Sequence, residues 1–331
     1  MKISQIGLVV ADVRKTVERY IATENIGPWR MKEISTISGA SLTLNGEKNT
    51  SAFSFVTASV QIGEIELELI EPGDGKSIYR DFLAQKGEGL HHLRVKTDTG
   101  EDFRNFIDHM QKENIPVFQE YTCEAGHIIS FDTWNELGVV LEAAERLSPD
   151  DPAGSTPAET FPEGYVAPDN IHKMNIRQFA VVVRNAEAYM DNYCRLLGVS
   201  SFDVRHFRPE NMKSLYVEGE LQTEGYEFIC AVAWLENIEI EVIEPIKGKN
   251  IYWEFLDTRG EGFHHIKDVY PDQEIARETE RMKEYGIRIM QTGWIDGDSH
   301  YYMSTFDELK MIVEYGNGGK IGPPDYCYPK C

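Results

Sequence analysis

One segment of this chain occurs twice. Residues 64–93 read EIELELIEPGDGKSIYRDFLAQKGEGLHHL and residues 237–266 read NIEIEVIEPIKGKNIYWEFLDTRGEGFHHI, identical at 17 of 30 ungapped positions. Identity at that density marks a duplication, so any fold proposed for one half must serve the other. The register extends outwards: Gln178, Glu241 and His265 each follow Gln5, Glu68 and His92 by 173 residues, and Glu314 follows Glu142 by 172. A chain of 331 residues has room for two such domains, each with its own core. We place them at 1–147 and 172–320, with a linker at 148–171 and a Gly/Pro-rich tail at 321–331. The linker carries Pro149, Pro152, Pro157, Pro162 and Pro168 and no apolar periodicity, which predicts extended chain.

Each copy reads as alternating strands and helices. In the first, QIGLVV is a short apolar strand and DVRKTVERYIATE has helical periodicity, with Asp12 placed to cap it. SAFSFVTASVQIG and EIELELIE follow as strands, then SIYRDFLAQKG as a short helix. HHLRVKT is a strand, GEDFRNFIDHMQKENI a longer helix, and HIISFDTW and GVVLEAAE close the copy. The order strand, helix, strands occurs twice per copy, so each copy is itself built from two similar halves.

Composition removes several function classes. Lys plus Arg is 33 and Asp plus Glu is 55, so the formal charge is 33 − 55 = −22, a field that repels nucleic acid and anionic lipid. No apolar run of membrane-spanning length occurs, and MKISQIGLVVADV enters a strand pattern without a signal-peptide layout. We expect a cytoplasmic protein. The cysteines Cys123, Cys194, Cys230, Cys327 and Cys331 are odd in number and irregularly spaced, which argues against a disulfide framework or a structural zinc cluster.

The chemistry lies in four strands. Successive strand residues face opposite ways, so Glu64, Glu66 and Glu68 share one face, and His92 and Arg94 share a face opposite His91, Leu93 and Val95. For one strand alone, a solvated polar face explains this. The repetition is harder to dismiss: gaps of 63, 24 and 50 from Gln5 through Glu68 and His92 to Glu142 become 63, 24 and 49 from Gln178 through Glu241 and His265 to Glu314. A carbonyl oxygen, two carboxylates and an imidazole form a mixed O/N donor set without thiolate, suited to Zn, Ni, Co, Mn or Fe(II). Four such donors on a six-coordinate ion leave two positions for a bidentate substrate.

Here the chain resembles the vicinal oxygen chelate superfamily, which includes glyoxalase, methylmalonyl-CoA epimerase, extradiol dioxygenases and bleomycin- or fosfomycin-resistance proteins. IEP, IY, FL and GEGLHH, in that order, are most similar to the epimerase branch. The resemblance implies an α+β fold of two tandem domains, each of paired βαβββ motifs forming a cup-shaped mixed sheet. It also implies metal ligands at Gln5, Glu68, His92 and Glu142, and at Gln178, Glu241, His265 and Glu314. The second histidine of each HH pair is chosen because HHL aligns with QIG in the sister half. Gln, Glu, His, Glu is the pattern of some glyoxalases, whereas the epimerases more often have His first and Gln second. The epimerase base, a non-ligand glutamate before the third strand, has no counterpart in Thr50–Phe53, while TEGYEF in the second copy offers Glu224. His127 and His300, 15 and 14 residues before the terminal glutamates, are further acid–base candidates.

These readings predict a metal-dependent isomerase, an epimerase in the first instance, with as many as two divalent ions per chain. A small-molecule carbonyl substrate would chelate the ion, which stabilises the enolate left by proton abstraction. Glu142 and Glu314 are the candidate bases, with Glu224, His127 or His300 as the second group. A glyoxalase-type lyase uses the same chemistry on a hemithioacetal. An extradiol dioxygenase, with a two-His-one-carboxylate iron site in one half, and a ligand-sequestering binding protein are more distant alternatives. Homo-oligomerisation is compatible with the sequence.

Overall fold

The computed structural model describes residues 1–35, 42–49, 52–123, 126–145, 158–168 and 172–329. Apart from the short Glu136–Gly138 stretch, the chain divides into two compact units between residues 171 and 172. The first contains β1 (Ile3–Val9), α1 (Val13–Glu24), β2 (Trp29–Ser35), β3 (Leu42–Leu44), β4 (Glu47–Asn49), β5 (Ser54–Ile62), β6 (Ile65–Pro72) and α2 (Ile78–Lys86). It continues with β7 (Gly89–Val95), α3 (Gly100–Lys112), β8 (Val117–Cys123), β9 (Gly126–Phe131), α4 (Trp134–Leu137), β10 (Val140–Glu145) and β11 (Glu159–Phe161). The second contains β12 (Ile176–Val182), α5 (Ala186–Leu197), β13 (Phe202–Phe207), β14 (Ser214–Val217), β15 (Glu220–Gln222), β16 (Glu227–Trp234), β17 (Glu239–Lys247) and α6 (Ile251–Thr258). Then come β18 (Gly262–Val269), α7 (Asp272–Met282), β19 (Ile289–Ile295), β20 (Asp298–Met303), α8 (Phe306–Leu309), β21 (Ile312–Gly316) and β22 (Tyr326–Tyr328).

Each unit is one mixed sheet made of two βαβββ halves. In the first unit β2-β5-β6-β1 is followed by β7-β10-β9-β8. Within each half the first and last strands run parallel, β1 with β6 and β7 with β10, while β1 and β7 join the halves antiparallel. The second unit repeats this as β13-β16-β17-β12 followed by β18-β21-β20-β19. The tandem α+β architecture expected from the repeat is therefore the observed one.

Local chemistry sets the element ends. Asp12 accepts from Lys15 N at 2.9 Å and Asn185 from Ala188 N at 3.1 Å, so the crossover helix of each unit starts on a side-chain cap. The shorter helices are held from across the sheet. Gln119 Oε1 accepts from Ile78 N at 3.0 Å and Gln291 Oε1 from Ile251 N at 3.2 Å. These bonds fix Tyr79 and Tyr252 beside the inner face, where Phe55 and Phe228 pack on them. Each aromatic ring buried there contributes about 1.5–3 kcal/mol.

The linker and the tail contribute more structure than extended chain. Glu159–Phe161 adds antiparallel to β2, and Tyr326–Tyr328 adds antiparallel to β13. Both lie at the same edge of their sheets, and Pro162 and Pro329 follow them. The repeat therefore includes an edge strand that proline-rich composition hid; an edge tolerates proline because its outer side needs no ladder donor.

Candidate metal centre

The four innermost strands of each unit carry the candidate donors. In the first unit Gly7 lies opposite both Glu68 and His92, and Glu142 lies opposite Arg94. Gln5, two residues from Gly7, shares that face. In the second unit Ala180 lies opposite Glu241 and His265, and Glu314 opposite Lys267. Strand parity thus puts every member of each set on one face of its sheet.

In the second unit the set converges. Glu241, His265 and Glu314 offer ligand atoms within 4.8 Å of one another. His265 Nε2 stands 3.0 Å from Glu314 Oε2 and 3.5 Å from Glu241 Oε2. Atoms bound to one ion at about 2.0–2.2 Å sit roughly 3–4 Å apart, so this spacing suits a shared cation. Gln178 Oε1, Glu241 Oε2 and His265 Nε2 are buried without a hydrogen-bond partner. Orphaned buried polar atoms are costly, and a divalent ion on all three would account for them together. The residues present fit the metal.

Around this cluster the charges are balanced by neighbours. Lys267 Nζ pairs with Glu314 Oε1 at 2.8 Å. Burial would raise the Glu314 carboxyl, but Lys267, His265 and His300 outweigh it and hold it well below the usual carboxylate range. Burial would lower the His265 imidazole, and the facing Glu241 and Glu314 reverse that and raise it. Tyr302 stacks edge-on against His265 with ring centroids 4.9 Å apart. His264 Nδ1 lies 2.8 Å from His265 Nδ1 and orients its ring.

The first unit closes on itself. Arg94 places Nη2 2.6 Å and Nε 2.8 Å from Glu142 Oε1, and Nη2 also stands 3.7 Å from Glu68 Oε2. Ser130 Oγ and Tyr79 OH donate to Glu142 Oε2 at 3.0 and 3.3 Å. Gln5 Nε2 donates to Glu66 Oε1 at 2.5 Å, which turns Gln5 Oε1 to within 3.2 Å of His92 Nε2. His92 Nε2 stands 3.8 Å from Glu68 Oε2 and 3.9 Å from Glu142 Oε1. Burial keeps His92 near 4 despite Glu142, and it pushes Glu68 up to about 7 against the pull of Arg94. Of this set only Glu68 contributes an orphaned atom among the described residues.

The remaining candidates separate by strand parity. Tyr302 lies opposite Glu314, and His300, two residues away and buried, shares its face. Ser130 is the residue opposite Glu142, and His127, three residues away, points outwards. There it pairs with Glu120 at 2.9 Å and packs on Phe103 of α3. The one-residue offset between the two histidines reverses the face, so the structure puts His300, not His127, on the side of the cluster. Glu224 is exposed in the turn between β15 and β16 and is not one of the residues that converge with His265. Arg94 and Lys267 were absent from the candidate set. The signal for them was available, since each stands two residues after its histidine and hence on its face.

The four described cysteines, Cys123, Cys194, Cys230 and Cys327, form no disulfide. No helix among the described residues is long and apolar enough to cross a membrane.

A family model described as the Glyoxalase/Bleomycin resistance protein/Dioxygenase superfamily matches residues 4–131 and again 177–304. The chain belongs to that superfamily, the vicinal oxygen chelate proteins, as two tandem domains. Membership supports a metal-dependent enzyme acting on a small molecule. No curated protein sequence matches the chain. Among solved structures it is similar to a triple mutant of 4-hydroxymandelate synthase from Streptomyces coelicolor, with TM-score 0.59 and 13% identity over 98% of this chain and 94% of that one. It is also similar to a xylose isomerase-like TIM barrel/4-hydroxyphenylpyruvate dioxygenase fusion protein, with TM-score 0.50 and 13% identity over 98% of this chain and 50% of that one. At such identity these likenesses concern the fold.

Proposed function

We propose that the chain is a metal-dependent isomerase, an epimerase in the first instance, that moves a proton at the carbon next to a substrate carbonyl, and that the second unit does this work. The observation that carries the reading is the convergence of Glu241, His265 and Glu314, with three orphaned donor atoms in the set that includes Gln178. One imidazole with two carboxylates and an amide carbonyl is an oxygen-rich, hard donor set, unlike the two-His-one-carboxylate arrangement of iron oxygenases. Gln178, Glu241, His265 and Glu314 would hold a divalent ion, which when bound supplies Lewis-acid polarisation of a carbonyl.

The chain's own residues supply the proton chemistry. Glu314 is the base: Lys267 grips its Oε1, leaving Oε2 directed at the cluster, so its position is fixed before substrate arrives. His300, buried on the same face, is the second acid–base group and returns a proton from another direction. Tyr302 packs edge-on against His265, and its hydroxyl accepts from the buried Tyr252 at 3.1 Å, which fixes that side of the cluster. A glyoxalase-type lyase would use the same groups on a hemithioacetal.

The test is isotope exchange under two atmospheres. Protein loaded with Ni(II), Zn(II) or Fe(II) is incubated in deuterium oxide with 2-substituted acyl thioesters, α-hydroxyketones and hemithioacetals. NMR then follows label at the carbon next to the carbonyl. Exchange that is equal with and without oxygen supports the proposal. Turnover that consumes oxygen would replace it with the dioxygenase reading, which the name of one structural neighbour suggests.

A further inference from the structure

We infer that the chain carries one metal ion, not two, and that the cationic residue two places after the histidine decides which unit takes it. Arg94 latches the first cluster shut, and Lys267 leaves the second open. The inference rests on the reading of the second cluster as a metal centre.

The two units keep the same four candidate donors, so the difference must lie around them. Arg94 and Lys267 occupy equivalent places, 173 residues apart, on the same strand and face as the histidine. A guanidinium is a planar fork with five donors, whereas an ammonium is a point charge on a flexible stem. Accordingly Arg94 makes two short contacts with Glu142 Oε1 and reaches towards Glu68 Oε2, spanning both carboxylates of its set. Lys267 pairs with one oxygen of Glu314 and forms no ion pair with Glu241 among the described residues. A cation entering the first cluster would meet an immobile positive charge on the carboxylates it needs. In the second it would meet two carboxylates with one oxygen each turned towards His265.

Three neighbouring differences act in the same direction. Gln5 is turned by Glu66 so that its carbonyl sits against His92 Nε2 at 3.2 Å, on the side from which an ion would approach that nitrogen. Gln178 Oε1 makes no hydrogen bond. Ser130 donates to Glu142 Oε2, whereas the residue opposite Glu314 is Tyr302, which accepts from Tyr252 and stacks on His265. The His92 ring also lies back over Gly7, so close that an added Cβ would sit 1.9 Å from its Cε1. Ala180 carries that methyl in the second unit, and its histidine stands closer to both carboxylates.

The full-length chain, stripped with a chelator and reloaded with excess Ni(II), should retain one nickel per chain after desalting, counted by elemental analysis. His265→Ala should lose it and His92→Ala should keep it. Lys267→Arg should weaken nickel binding about tenfold or more, because it places a fork across both carboxylates, while Lys267→Met should retain the metal. Arg94→Lys should bind a second nickel, with Arg94→Ala as the alternative if circular dichroism shows the first unfolded. Two ions in the parent, one removed by each histidine variant, would overturn the latch but leave the second centre standing. So would failure of both folded Arg94 variants to take up a second ion. A parent that takes up no nickel would remove the metal-centre reading itself.

Discussion

At the scale of single residues, parity decided what sequence spacing left open. His127 and His300 are close to equivalent in number, yet one residue of offset sends the first to the helix-covered face and the second to the cluster. The eight candidate donors were legible because duplication showed them twice. Arg94 and Lys267 were legible in position and missed in meaning, since a cation beside a histidine reads as surface charge until both carboxylates are placed. Gly7 has a use that sequence could not reveal, because only the fold lays an imidazole across it. Gly7→Ala should therefore destabilise the protein by about 1–3 kcal/mol, as an overpacked site does. In a denaturation double-mutant cycle with His92→Ala, most of that cost should vanish. Additive losses from the two changes would contradict the packing of ring on glycine.

At the scale of elements, strong periodicity was readable and weak periodicity was not. The helices with side-chain caps and the apolar strands β1, β6 and β7 follow from pattern. β2 was missed because the alternation of Trp29 and Met31 breaks at Glu33 and resumes out of phase at Ile34. β8 was missed because its buried Gln119 reads as polar, although it holds the start of α2. β11 and β22 were hidden by proline and by their brevity. The docking of β22 is tied by Asp325, whose Oδ2 accepts from His206 N at 2.7 Å and whose N donates to Val204 O at 2.9 Å. Asp325→Ala should speed hydrogen exchange at the His206 amide about tenfold or more while the β12 amides stay protected. Unchanged exchange at His206 would mean that the tail strand is not held in solution.

At the scale of the whole molecule, a chain with formal charge −22 still buries several cation–carboxylate groups, and these tie its stability to pH. His172 Nε2 stands 3.0 Å from both carboxylate oxygens of the buried Asp268, and its ring stacks on Tyr270 at 3.6 Å. Burial works against the charged imidazole, but Asp268 outweighs it and raises the His172 pKa. A pKa raised by folding gives stability that is complete below the unfolded value, about 6.5, and is lost as pH rises through the folded value. Asp268 is raised by burial from a carboxylate value, so its own titration begins on the acid side of that window. The melting temperature should fall as pH rises above about 6.5, and His172→Gln should flatten that slope. An unchanged slope in the variant would assign the dependence to other groups.

In the proposed function, the second unit's cluster performs oxygen-independent proton transfer and the first does not. Its most direct test is the rate of deuterium exchange into a substrate carbon, per folded chain, in Glu314→Gln against His92→Gln. Removing a positioned base from the reacting centre should cost about a hundredfold or more, while the neutral change in the closed first unit should leave the rate within about threefold of the parent. Equal losses in the two variants, or exchange that stops when oxygen is withdrawn, would contradict the account.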